Sequence, residues 1–315
     1  MGHQKADLML IAVTVFWGSS YLFMKTGLET LGIFNLTALR FLVAFVITAV
    51  LFGRRLRHTD KRTLFYALIL GVVLLAVFAS IMAGMKTTPA SKAGFLVSLT
   101  VVFVPLLNSL LFRFKPELKM IVGVALSLIG IGLLTWNGRL APESGDLYCV
   151  LGALANAVYI ILADRFTKRV NSVALSIWQM GFTGILALLI SMIIEVPRIP
   201  DTMGSWISVL GLGILCSAAG YMMQTVAQKY TTSTHAGLIF TLEPVFAALF
   251  AYIFTGETLS MRGYAGAGLV LISIIIMEIN FRKISVSYFF PSKSILRFMK
   301  ITHFLKKFRD RKIVR

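Results

Sequence analysis

The chain has 315 residues, 57% hydrophobic and 14% charged, with a formal net charge of +18. That composition excludes a soluble globular domain, because nearly every stretch between polar clusters is apolar enough to lie in hydrocarbon. The two cysteines, Cys149 and Cys216, both fall inside apolar stretches, where a thiol acts as a small apolar filler, so no disulfide framework is indicated.

A helix needs about 20 apolar residues to cross roughly 30 Å of bilayer core. Ten such stretches are predicted, at approximately 7–28, 34–53, 64–85, 92–112, 118–136, 147–166, 173–194, 204–228, 234–255 and 261–280. The expected fold class is an all-α membrane protein of ten transmembrane helices. The first stretch runs past signal-peptide length without an A-x-A-like site and reads as an uncleaved span. It carries Trp17 and Tyr21 on one face, at i and i+4, with Ser20 beside them. These side chains suit stacking on, or hydrogen bonding to, a small organic solute, and equally suit packing. Arg40 lies about two turns into the second span. A guanidinium there is costly unless paired or wet. It either receives a solute carboxylate bidentately or snorkels to the outer interface. The fourth span contains Pro105.

In the sixth span Asn156 and Tyr159 form a weaker polar pair, and the seventh holds Gln179. Tyr221, Gln224 and Gln228 recur on one face of the eighth. The ninth, "LIFTLEPVFAALFAYIFTGE", has Glu243 and Pro244 side by side in its interior. A carboxylate at mid-membrane costs roughly 3 kcal/mol on insertion scales and should face a partner or a wet cavity. Pro244 removes an N–H from the ladder and frees a carbonyl near Phe240, which is tolerated where protein or cavity water satisfies it. Glu243 is therefore the leading candidate for a central site, against the alternative of a buried carboxylate bonded to a neighbouring helix for packing alone. Glu257, Lys86 and Lys229 sit at span ends and read as structural, and His235 alone makes no metal site. The runs "GVALSLIGIG" and "GYAGAGLVLIS" in the fifth and tenth spans are helix-contact surfaces, within the bundle or in a homodimer.

The positive charge reports orientation. With both termini on one side, the loops at 54–62, 113–119, 165–169 and 229 carry twelve Lys/Arg, whereas the opposite loops carry only Lys25, Lys86, Lys92, Arg139, Arg198 and Arg262. Both termini are predicted cytoplasmic. No nucleic-acid partner is implied. The last segment, 281–315, has eleven Lys/Arg against one Asp and apolar residues at near-helical spacing. It reads as a basic amphipathic tail on an anionic leaflet, or as a loosely ordered tail that reinforces topology.

Comparing the chain with itself reveals a repeat. A shift of 143 residues puts "TTPASKAGFLVSLTVVFVPLLNSLLF" on "YTTSTHAGLIFTLEPVFAALFAYIFT" without a gap, and an offset of 139 aligns Trp17 with Asn156 and Arg40 with Gln179. The halves are then 7–136 and 147–280. Five spans per half is an odd number, so the second copy is expected upside down relative to the first. Proline-interrupted helices at related positions, Pro105 and Pro244, point to a central site in such an architecture.

The segments "FWGSSYLFMKTGLETLGIFNLTALRFLVA" (16–44), "GALANAVYIILADRFTKRVNSVALSIWQM" (152–180) and "TTSTHAGLIFTLEPVFAALFAYIFTGETLSMRGYAGAGLVL" (231–271) resemble the drug/metabolite transporter superfamily, EamA-type family, over residues 7–280. Trp17-Gly18, Arg40-Phe41, Pro244 and Gly256-Glu257 are its most specific pieces. The resemblance implies two EamA-like repeats of five helices in a bacterial inner membrane, usually exporting amino acids or other small metabolites. One departure is "FRFKPE" after the fourth span, where a Gly-Glu is expected.

No Walker A sequence, His-Glu-x-x-His or dinucleotide loop occurs, which excludes ATP hydrolysis by this chain; no catalytic residue, metal ligand or cofactor is predicted. The expected function is secondary transport of a small-molecule solute across the lipid bilayer by alternating access, with proton coupling through Glu243 as one route. The alternatives are an intramembrane lipid-modifying enzyme, which needs a cluster of carboxylates or histidines at one interface, and a non-transporting structural subunit, which has no use for Glu243 and Arg40 in hydrocarbon.

Overall fold

The computed structural model describes residues 3–56, 59–112, 118–135, 144–230, 236, 239–240 and 242–278. The basic tail and His235 lie outside the described residues, as does most of the stretch before Glu243. Among the described residues the structure is all-helical, with no strand. In order the helices are α1 (His3–Gly27), α2 (Ile33–Leu56), α3 (Lys61–Met85), α4 (Ala90–Val97), α5 (Thr100–Phe112), α6 (Leu118–Thr135), α7 (Ser144–Thr167) and α8 (Ser172–Ile194). Then follow α9 (Met203–Leu210), a π-helical stretch (Gly211–Ala219), α10 (Gly220–Gln228), α11 (Glu243–Thr255) and α12 (Met261–Glu278).

Among the described residues, seven helical stretches are long and apolar enough to cross a membrane: Gln4–Gly27, Ile33–Arg54, Lys61–Met85, Ala90–Leu110, Ser144–Thr167, Ser172–Ile194 and Met203–Gln228. Ile121–Leu133 and Glu243–Thr255 are shorter apolar helices. The chain is thus a multi-pass membrane protein. Large apolar side chains such as Val50, Leu51, Phe65, Ile193 and Met261 stay exposed on the outer surface, as a lipid-facing surface requires.

Short polar devices set the helix limits. Asn171 caps α8 by accepting from the backbone N–H groups of Val173 and Ala174. Asp60 caps α3 by accepting from the N–H of Thr63, and Thr202 forms a capping box with Ser205 at the start of α9. Each satisfies donors that the first helical turn leaves without partners. Gly256 ends α11 at φ +66°, its N–H donating to Tyr252 O while that of Glu257 reaches Ala251 O, the left-handed stop that glycine adopts without a Cβ penalty.

Two of the predicted spans are divided, the fourth away from its proline and the ninth beside it. The fourth breaks at Ser98–Leu99, where α4 gives way to α5, and Pro105 sits inside continuous α5. Pro244 lies in the first turn of α11, whose N-cap is Leu242, so the ninth span is divided beside its proline, just past the helical residues Ile239 and Phe240. A missing N–H costs nothing there, because the first-turn donors lack helical partners in any case. Shifted by 143 residues, α5 falls on α11 and α6 on α12, end for end. The break before Thr100 therefore corresponds to the break before Glu243.

α2 packs along α8, α3 along α7 and α8, and α6 along α12. α1 lies against the α9–π–α10 unit and α11, α4 against α11 and α7, and α5 against α7. Glycines permit the closest approaches: a Cβ on Gly18 would lie 2.5 Å from that of Phe246, and one on Gly130 2.8 Å from the carbonyl oxygen of Gly266. The small-residue runs of α6 and α12 face each other within the chain, joined by the Ser127–Ser273 hydroxyl pair at 2.5 Å.

Candidate functional site

The centre of the bundle is an aromatic cluster around Tyr221 of α10. Its ring centroid lies 5.3 Å from Trp17 of α1, 5.9 Å from Tyr159 of α7, 6.0 Å from Phe41 of α2 and 6.4 Å from Phe78 of α3. Trp17 also packs on Phe240 at 5.3 Å. The tilted and edge-on geometries are those that aromatic quadrupoles favour. Tyr21, Phe41, Phe78, Tyr159 and Tyr221 belong to one buried cluster, against which Trp17 packs.

Arg40 is inside this cluster. It does not snorkel: the residue is 1% exposed. Its Nε donates to Ser217 Oγ at 3.0 Å, and the guanidinium carbon lies 4.1 Å from the ring centroid of Phe78 and 5.0 Å from that of Phe41. No carboxylate lies within ion-pair distance among the described residues. Its Nη1 is sealed from solvent without a hydrogen-bond partner. A buried cation held by two aromatic faces and one hydroxyl has donor capacity left for an anion.

The π-helical stretch explains how Ser217 and its neighbour come to serve these side chains. A π turn shifts backbone hydrogen bonds to i+5, a distortion often found at functional positions. Here the Cys216 carbonyl accepts from Trp17 Nε1 at 3.1 Å, and the next residue presents its hydroxyl to Arg40. Gly220 leaves room for the indole, since a Cβ there would lie 2.8 Å from Trp17 Nε1. Cys216 itself is bonded, its thiol donating to Phe16 O.

The remaining predicted residues divide into three groups. Tyr159 donates to Gln179 Oε1 at 3.2 Å, which leaves Gln179 Nε2 unpartnered. Gln224 is 1% exposed with neither side-chain polar atom paired, and Gln228 Nε2 is likewise unpartnered among the described residues. Buried amides in that condition cost roughly 1–3 kcal/mol each unless water or a ligand satisfies them. Tyr21 donates to Glu243 Oε1 at 3.1 Å, joining α1 to the first residue of α11. Two residues point elsewhere. The Ser20 hydroxyl donates to Trp17 O within its own helix, and Asn156 donates to Thr100 Oγ1 at 3.3 Å, joining α7 to the first residue of α5.

Phe41, Phe78 and Ser217 complete the Arg40 environment; Phe41 entered the sequence reading only as part of the family resemblance, and Phe78 and Ser217 not at all. Phe41 adjoins Arg40 in the chain, but neither the i+1 neighbour nor a phenylalanine on a separate helix carries a periodic signal. Lys92 and Asp146 were also missed. They form a buried ion pair at 2.8 Å, 6% and 2% exposed, with Thr88 donating to the other carboxylate oxygen at 3.2 Å. Glu257, read as structural, accepts from Lys25 and from the Ser91 N–H at 3.2 Å. Burial pushes its carboxyl up, but the Lys25 ammonium and Ser91 more than offset this and hold it below the usual glutamate value. Among the described residues no cluster of metal-ligating side chains occurs.

The profile of the EamA-like transporter family matches the sequence twice, over residues 4–136 and 143–279. An uncharacterized transporter of Archaeoglobus fulgidus is 26% identical over 275 residues, 87% of this chain and 86% of its own. The uncharacterized inner membrane transporter YedA of Escherichia coli (strain K12) is 27% identical over 297 residues, 91% of this chain and 93% of its own. A probable amino-acid metabolite efflux pump of Salmonella typhimurium is 27% identical over 294 residues, covering 89% and 96%. A solved crystal structure superposes with a TM-score of 0.65 over 87% of this chain and 96% of that one, at 18% identity, which speaks to the fold alone.

Proposed function

We propose, for a chain that belongs to the EamA-like transporter family of drug/metabolite transporters, a secondary transporter that exports amino acids or other small organic metabolites bearing a carboxylate. The observation that carries this reading is Arg40, sealed at the core with Nη1 unpartnered and framed by aromatic rings of α1, α2, α3 and α10. Arg40 and the free Gln179 amide receive the carboxylate, Trp17, Tyr159 and Tyr221 take the apolar body, and Gln224 binds a further polar group. Glu243, bonded to Tyr21, exchanges a proton with the transport cycle.

The transport mode is alternating access by two inverted five-helix repeats, 7–136 and 147–280, in a ten-helix fold. The end-for-end correspondence of α5 with α11 and of α6 with α12 supports the repeat. So does the packing pattern. α1 meets α11 as α7 meets α5, α1 meets the α9–π–α10 unit as α7 meets α3, and α2–α8 and α6–α12 pair with their own counterparts. A site between two such halves opens to one face and then the other as they rock. The excess of Lys/Arg in alternate loops supports cytoplasmic termini, and the Escherichia coli relative's name supports an inner-membrane location.

The test is uptake or counterflow in proteoliposomes across a panel of amino acids, carboxylates and their neutral amides, with and without a pH gradient. Saturable movement of carboxylate-bearing solutes is expected. Absence of movement for every solute in the panel sinks the reading.

A further inference from the structure

We propose that Ser91 and Lys92, at the start of α4, form the latch that opens and closes one end of the transport path, held shut by Glu257 and Asp146 and hinged at Ser98–Leu99. The inference rests on the transporter reading above. It concerns residues outside the central site.

Helix α4 has only eight residues, and every one is buried. It is separated from α5 at Ser98–Leu99, where Val101 N–H donates to Ser98 O at 3.0 Å and Val102 N–H to Leu99 O at 2.9 Å, the tight i→i−3 pattern of a hinge. At its N-terminal end, which the short link 86–89 joins to α3, two consecutive residues are tied to two different helices. Asp146 in the first turn of α7 uses one oxygen for Lys92 Nζ and the other for Thr88. Glu257, just past α11, uses one oxygen for Lys25 in the last turn of α1 and the other for the Ser91 N–H and hydroxyl.

One anchor belongs to a closely packed helix pair. α7 is locked to α3 by glycine approaches: a Cβ on Gly84 would lie 2.7 Å from Gly145 O, and one on Gly152 2.7 Å from Ile81 Cγ1. α4 makes its own close glycine approach to α11, not to α7. It rests on α11 through Gly94, whose Cβ position lies 2.7 Å from that of Ala247 and 3.9 Å from the Tyr21 ring. Swinging α4 about Ser98–Leu99 therefore uncovers Tyr21. The latch lies eight residues beyond Trp17 along α1, about 12 Å at 1.5 Å per residue, so it stands between the aromatic cluster and that end of the bundle.

A buried ion pair is a poor stabiliser, because desolvation offsets most of its attraction; its best-attested use is to specify one arrangement over another. Two saturated carboxylates gripping adjacent residues of one short hinged helix fit that use. Opening this end requires both grips to release.

The experiment uses the full-length protein in nanodiscs, with Cys149 and Cys216 replaced by alanine and spin labels at Pro89→Cys and Arg198→Cys, both exposed positions at this end. Wild type is expected to give one dominant distance. D146N and E257Q singly, and more strongly together, are expected to add a second population longer by about one helical turn, roughly 5 Å. The charge swap K92D/D146K is expected to return most of the sample to the first distance. E257Q keeps the test readable if D146N does not fold, because Glu257 is partly exposed. The proposal is overturned if a folded E257Q or D146N/E257Q protein retains the wild-type distribution, or if the swap remains as open as D146N alone. The measurement needs no solute. A latch that opens in a protein that moves nothing refutes the transporter reading alone, and an unchanged distribution in an active transporter refutes the latch alone.

Discussion

The phenol of Tyr21 donates to Oε1 of Glu243 across 3.1 Å, linking the middle of α1 to the first residue of α11. Glu243 is the first residue of α11, near the positive end of that helix's dipole, which favours a carboxylate. Its position one turn from Trp17 on the partner helix puts it beside the aromatic cluster.

Glu243→Gln preserves the acceptor for Tyr21 and removes the ionisable group. The variant is expected to reach the membrane at wild-type levels and to lose the pH-gradient dependence of uptake in proteoliposomes. Unchanged gradient dependence would reduce Glu243 to a packing residue.

Arg40→Gln removes the cation and leaves a neutral donor on a side chain two bonds shorter. A hydrogen bond to a charged group contributes about 1.5–3 kcal/mol, so the apparent affinity for carboxylate solutes should fall roughly 10- to 150-fold. The neutral amide of the same solute should be little affected. Arg40→Lys should recover only part, because an ammonium does not reproduce the planar stack on Phe78. Concentration dependence of counterflow measures all three.

Gly256→Ala introduces a Cβ at φ +66° with open space around it, so the cost is conformational and not steric. A left-handed non-glycine residue costs about 1–2 kcal/mol. The melting temperature in detergent should drop by a few degrees, with Gly256→Asn less affected because asparagine tolerates this region. An equal drop for both variants would contradict the assignment.

The Glu257 carboxyl sits below its ordinary value, held there by Lys25 and Ser91 after burial has pushed the other way. A depressed folded value means the ionised group favours the folded form above the unfolded value, and that contribution disappears as pH falls through the folded value. Stability should therefore be flat above the usual glutamate range with respect to this residue and decline below it. Glu257→Gln should flatten the acid limb of the melting curve measured against pH. An acid limb unchanged in the variant would assign that limb to other carboxylates.

The sequence alone determined the membrane class and the positions of most helices, because each depends on residues near in sequence or on runs of one character. Ten apolar stretches, loop charge and the 143-residue shift are all local or additive signals. It also placed Trp17, Arg40, Tyr159, Gln179 and Tyr221 on a short list, since polar and aromatic groups in hydrocarbon stand out by cost. Tertiary structure decided how they combine. Arg40 is held inward by Phe78 and Ser217, residues 38 and 177 positions away, instead of snorkelling, and Ser217 stands on a π-helical stretch that no sequence period marks. Pro105 attracted attention as a breaker, yet the break in that span falls at Ser98–Leu99. A proline forbids one backbone hydrogen bond, but packing of neighbouring helices chooses which residues give theirs up. Lys92 and Asp146 were invisible for the same reason: two charges at unrelated span ends become a buried pair only when α4 and α7 are brought together.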